Sequence, residues 1–156
     1  MYELRRALWD EMLGHARASA PAECCGLLGG RGRAALSVYP LRNAAADPLT
    51  AYEAAPEELF AAQRRMRERG EELVAIYHSH PRARDPVPSP ADVKLAFYPS
   101  AVYFIIGFDA EGRGVLRAFR ISEREGRWER AEFQLTDDGE PHADAGRKEQ
   151  HAGEEK

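Results

Sequence analysis

At 156 residues, with 44% hydrophobic and 31% charged side chains, the chain reads as one soluble globular domain long enough for a substantial core. A formal net charge of −4 gives no basic field for nucleic acid. There is no 18-residue apolar run and the N-terminus is polar without an apolar h-region, which predicts neither a membrane span nor a signal peptide. The two cysteines, Cys24 and Cys25, are adjacent and make no disulfide framework, so a reducing cytoplasm is expected.

In chain order, residues 3–18 read as a helix with Leu4, Leu8, Met12 and Ala16 on one stripe. Ala20-Pro21 ends it. Gly29, Gly30 and Gly32 then mark a turn between strands at 25–29 and 34–41. Glu23 stands at the entrance to the first of these strands. Cys24 and Cys25 lack metal-ligand spacing, and a vicinal pair at a strand start is read as buried packing rather than a nucleophile. Residues 42–55 form a loop with a short strand near Thr50–Ala54. Residues 56–69 form a helix: Pro56 opens it, acids sit at its positive end and arginines at its negative end, and Gly70 closes it. Leu59, Phe60, Ala62, Gln63 and Met66 are its expected buried stripe.

The run Leu73–Tyr77 reads as a buried central strand. His78 and His80 follow two residues apart, so a strand backbone would aim both imidazoles at one spot. Pro81 stops the strand. After a proline-rich loop, Ser89-Pro90-Ala91-Asp92 reads as a helix start, the helix running through Leu95-Ala96-Phe97. Asp92 could simply complete a capping box with Ser89. A helix packed back on the strand would instead bring Asp92 beside both histidines, and two imidazoles with one carboxylate are a zinc site with one open position, the catalytic arrangement. Strands at 102–106, 115–121 and 128–135 follow. Residues 137–156 are nearly devoid of apolar side chains, so a disordered tail is expected after a domain at 1–136, and His142 and His151 within it are poor ligand candidates. Arg82 and Arg84 could hold a substrate carboxylate but are read as solvated loop arginines.

His-Ser-His-Pro followed by Ser-x-x-Asp, with Pro-x-Glu-x-x-Gly-Leu-Leu-x-Gly upstream, resembles the signature of the JAMM (MPN-plus, JAB domain) metalloproteases. The resemblance covers about residues 20–107. It implies an α+β fold, a mixed, mostly antiparallel curved sheet sandwiched by helices and related to the cytidine deaminases. It also implies zinc held by His78, His80 and Asp92, Glu23 as general base and Ser89 as oxyanion donor. One departure stands out: Arg82 to Pro88 is seven residues where the family pattern has about six. Deaminase chemistry itself is excluded, because that class needs His-x-Glu and Pro-Cys-x-x-Cys. Small single-domain members of the family act on ubiquitin-like sulfur-carrier proteins ending in Gly-Gly, which makes such a carrier the expected substrate. A general zinc peptidase and a non-catalytic MPN scaffold are the competing expectations, and oligomeric state is left open.

Overall fold

Residues 1–137, the part of the chain described by the computed structural model, fold around an eight-stranded sheet. The expected disorder of the tail, with His142 and His151, lies outside the described residues from 138 onward. The elements are β1 (Tyr2–Arg5), α1 (Arg6–Ser19), β2 (Cys25–Arg31), β3 (Ala34–Leu41), α2 (Pro56–Glu68), β4 (Glu72–Ser79), α3 (Pro90–Lys94), β5 (Val102–Phe108), β6 (Gly114–Ser122), β7 (Arg127–Ala131) and β8 (Phe133–Thr136). Strand order is β7-β6-β5-β4-β2-β3-β1-β8. β2–β3, β2–β4, β5–β6 and β6–β7 pair antiparallel, whereas β4–β5, β1–β3 and β1–β8 pair parallel. The sheet is therefore mixed and mostly antiparallel, as expected.

The apolar runs place β4 and β5 at the centre, because strands buried on both faces cannot alternate with polar residues. Alternation then sorts their side chains between two clusters. Val102, Phe104 and Ile106 of β5 join Leu8, Met12 and Ala16 of α1 on one face. Tyr103 and Ile105 join Ala62 and Met66 of α2, with Ala96 just beyond α3, on the other. Helices thus cover both faces. β7 and β8 lie at opposite ends of the strand order yet only Glu132 separates them, so the sheet coils until its two edges approach each other. Phe133 closes that seam, meeting Phe104 edge-on at 5.3 Å between ring centroids.

Several sequence expectations need correction. Residues 3–5 belong to a strand rather than to the first helix: Tyr2 and Leu4 are buried while Glu3 is exposed, an alternation too short to stand out beside fourteen helical residues. The run 128–135 is two strands pairing with different partners. The strand near Thr50–Ala54 reduces to one bridge between Asn43 and Ala54. Gly29 and Gly30 lie in β2 across a bulge, and the turn itself falls at Gly32, whose φ is 61°. α3 stops at Lys94, short of Phe97. Phe60 is 65% exposed, so the buried face of α2 rests on Ala62 and Met66, with Leu59 partly covered. Among the described residues no helix is long and apolar enough to cross a membrane.

Candidate metal centre

The site follows from the register of β2 on β4. Cys25 is paired with His78, so extending the antiparallel ladder by two residues sets Glu23 opposite His80. Side chains at i and i+2 share a face, which gathers Glu23, His78 and His80 on the side covered by α2 and α3. Ser79, on the opposite face, fastens the two chains together. Its Oγ accepts the Cys24 N–H at 2.9 Å, and its own N–H donates to the Cys24 carbonyl at 3.1 Å. The His80 N–H donates to Ile106 across the other side of β4 at 2.8 Å.

Asp92 arrives from α3. The helix begins with a capping box: Ser89 Oγ accepts the Asp92 N–H at 3.1 Å, and Asp92 Oδ2 accepts the Ser89 N–H at 2.8 Å. The same Oδ2 lies 3.2 Å from His78 Nε2 and 3.1 Å from His80 Nε2, and the two Nε2 atoms are 3.1 Å apart. Capping and metal-site geometry are thus not alternatives here, because one carboxylate oxygen takes part in both. The loop carrying α3 is seated firmly despite its extra residue. Ala83 N–H donates to the His80 carbonyl, Phe108 N–H donates to the Ala83 carbonyl, and Asp85 pairs with Arg117 at 3.1 Å. Gly107 makes this approach possible, since a Cβ there would sit 2.3 Å from the Ala83 oxygen. Arg82 and Arg84 are exposed on the loop.

The donor triangle fits a metal ion. Tetrahedral angles and bonds of about 2.0–2.1 Å put ligand atoms roughly 3.3–3.4 Å apart, close to all three observed edges. Glu23 offers a carboxylate oxygen within 4.8 Å of the histidine donors. Glu23, His78 and His80 therefore stand close together as a candidate metal site, with Asp92 completing the tightest set of donors.

Electrostatics distinguish the two carboxylates. Burial alone would raise the Asp92 pKa, but hydrogen bonds to His78 and His80, with the Ser89 N–H, hold it well below the usual carboxylate range. Glu23, 7% exposed, is pushed up to about 7 by burial, with His80 lowering and Asp92 raising it. Burial lowers the His78 pKa, favouring the neutral imidazole that a metal requires. Burial raises Cys24 to about 11 and Cys25 to about 12, so neither is a thiolate nucleophile, in keeping with their reading as packing residues.

The Glu23 shift carries a stability consequence for metal-free protein. A carboxyl raised from 4.5 to about 7 favours the fold fully below pH 4.5, and that contribution is lost as pH rises through 7. Above pH 7 the penalty approaches roughly 3 kcal/mol. Metal-free Glu23→Gln should therefore melt higher than metal-free wild type at pH 8, the gap closing towards pH 4.5. Thermal melts of both proteins across that range measure it; a gap independent of pH would show that Glu23 ionises freely in the fold.

Two residues of this neighbourhood carry no sequence signal, Asn43 and Tyr52, whereas Ser79 belongs to the His-Ser-His-Pro run but gives no hint there of its bond to Cys24. Asn43 donates to the Glu23 carbonyl at 2.9 Å, and Tyr52 stacks on His78. A lone Asn and Tyr in an alanine-rich loop give no periodicity. A groove of about 570 Å³ opens beside the site between α3 and the β6–β7 turn, lined by Pro88, Ser89, Val93, Lys94 and Trp128 among others.

Known proteins share this architecture. The family described as prokaryotic homologs of the JAB domain matches residues 5–122. A desampylase of Haloferax volcanii is 42% identical over 106 residues, 64% of this chain and 76% of the relative. A probable TtuB-protein conjugate cleaving protease of Thermus thermophilus is 41% identical over 118 residues, 76% and 74% of the two chains. A CysO-cysteine peptidase of Mycobacterium tuberculosis is 37% identical over 121 residues, 76% and 81% of the two chains. In solved structures, a Desulfitobacterium hafniense protein superposes with a TM-score of 0.78 at 36% identity, covering 88% of this chain and 94% of its own. A JAB1/MPN domain protein from Archaeoglobus fulgidus shares the fold at TM-score 0.55 and 20% identity, covering 86% of this chain and 98% of its own. Fold and likeness together define a JAB/MPN hydrolase of the JAMM peptidase type. The chain belongs to the prokaryotic JAB-domain family.

Proposed function

We propose that residues 1–136 form a zinc peptidase domain that hydrolyses the amide bond after the Gly-Gly terminus of a ubiquitin-like sulfur-carrier protein. The observation that carries the chemistry is the 3.1–3.2 Å triangle of His78, His80 and Asp92 with Glu23 beside it. The substrate class is supported by the relatives, whose names specify a TtuB-protein conjugate and CysO-cysteine. The unpaired thiols of Cys24 and Cys25 support a reducing cytoplasm.

Zinc bound by His78, His80 and Asp92 would supply Lewis acidity, lowering the pKa of water and polarising the scissile carbonyl. Glu23 takes one proton from the attacking water as its oxygen adds to the carbonyl carbon. It then returns that proton to the leaving nitrogen as the C–N bond breaks. Burial raises the Glu23 pKa in the metal-free fold, the direction that suits a carboxyl passing a proton both ways. Ser89 Oγ already accepts the Asp92 N–H, which leaves its own O–H to donate to the oxyanion.

Ser89→Ala should slow turnover by roughly 10²–10³ through loss of that donor. It should also cost about 1 kcal/mol of stability through loss of the α3 cap. Steady-state rates and thermal melts of the same protein separate the two effects. A near-normal rate with a lowered melting temperature would confine Ser89 to capping.

The substrate assignment is tested by mass spectrometry of carrier fusions. Cleavage should fall immediately after Gly-Gly, because residues without Cβ let the backbone approach a reacting centre closely. Replacing the second Gly by a bulky residue should block it. Intact Gly-Gly fusions alongside cleaved unrelated peptides would make this a general peptidase.

A further inference from the structure

A histidine that holds a metal ordinarily donates its second ring N–H to an acceptor, which fixes the ring plane. His78 departs from that pattern. Its ring is wholly buried and its Nδ1 has no hydrogen-bond partner among the described residues. What meets the ring instead is Tyr52, stacked on it at 4.4 Å between centroids and 25° between planes. Tyr52 comes from the loop between β3 and α2, outside the strand and helix that carry the donors.

Asn43 spans that loop with every hydrogen-bonding capacity of its amide filled. Asn43 Nδ2 donates to the carbonyls of Glu23 at 2.9 Å and Ala51 at 3.0 Å. Asn43 Oδ1 accepts the N–H groups of Ala45 and Glu53, each at 3.0 Å. Ala51 and Glu53 flank Tyr52, so the amide grips the chain on both sides of the stacking ring. Glu23 is clamped at the same time, since its N–H donates to the Pro48 carbonyl at 2.8 Å. One loop therefore reaches both the candidate base and the buried ligand.

We propose that Tyr52 is a positioning residue for His78, its ring face setting the imidazole plane in place of a hydrogen-bond acceptor, and that Asn43 holds Tyr52 and Glu23 in one frame. The proposal rests on the metal reading above. It requires the aromatic face of Tyr52 and not its hydroxyl.

The test is cobalt(II) affinity of the full chain, measured by competition with a chromophoric chelator. Tyr52→Phe should bind like wild type. Tyr52→Leu, which stays apolar but lacks the flat ring, should bind roughly 10–100-fold more weakly, the range seen when a metal ligand loses its outer support. Asn43→Ala should weaken metal and, at saturating metal, also lower kcat with little change in KM, because Glu23 loses its anchor. Circular dichroism of the metal-free proteins identifies any variant that fails to fold, and Tyr52→Phe separates loss of the hydroxyl from loss of the ring face. Tyr52→Leu binding as tightly as wild type, or Tyr52→Phe losing as much as Tyr52→Leu, would overturn the proposal. Wild type that binds no cobalt would overturn the metal reading itself, and the positioning role with it.

Discussion

Glu23→Gln should eliminate turnover and leave one metal per chain. Gln keeps the size of the side chain but cannot accept a proton, and a positioned general base is worth about 10²–10⁴ in rate. Retention of metal is expected because the donors in mutual contact at 3.1–3.2 Å are His78, His80 and Asp92, which this substitution leaves unchanged. Removing a charge that burial disfavours should also leave the metal-free fold no less stable at neutral pH. Metal content and kcat determined on the same preparation read out both halves. Loss of the metal in Glu23→Gln would make Glu23 a ligand, and retained turnover would place the base elsewhere.

The second large effect is removal of the ion. The double variant His80→Ala, Asp92→Ala deletes two of three donors and should leave no bound zinc and no measurable activity. A chelator should do the same to wild type. Neither treatment should unfold the protein. Leu4, Met12, Phe104, Phe119 and Ile105 are all fully buried, and each such side chain contributes roughly 1.5–3 kcal/mol on burial, without help from any ion. The far-ultraviolet circular dichroism spectrum should therefore persist in chelator. A cooperative loss of that spectrum would mean that the ion is structural, and stoichiometric zinc in the double variant would refute the ligand assignment.

The grouping of the candidate site's side chains is largely legible in the sequence because these residues obey short-range rules. His78 and His80 share a strand face by the period of two. Ser89 and Asp92 announce a helix start by capping chemistry, and the structure joins them as that spacing implies. Glu23 lies in the Pro-x-Glu-x-x-Gly motif, and the ladder of β2 on β4 supplies the physical reason for its proximity to the histidines. What stayed hidden depends on contacts between segments distant in sequence. Asn43 acts through backbone groups of Glu23, Ala45, Ala51 and Glu53, and Tyr52 acts by stacking, neither of which leaves a periodic trace. In the fold, the central strands were evident from continuous apolar runs. β1 was not, and β8 was expected only as the end of one strand with β7, because each is four residues long and they complete each other across the chain, Tyr2 opposite Phe133. A sequence pattern can mark a strand but not the distant edge to which it returns.

The ligand assignment is tested most directly by anomalous diffraction at the zinc absorption edge from crystals of the zinc-loaded protein. One peak is predicted, within bonding distance (about 2.0–2.2 Å) of His78 Nε2, His80 Nε2 and an Asp92 carboxylate oxygen, with Glu23 outside that radius. A peak bonded to Glu23 in place of Asp92, or no peak among these residues, would contradict the account.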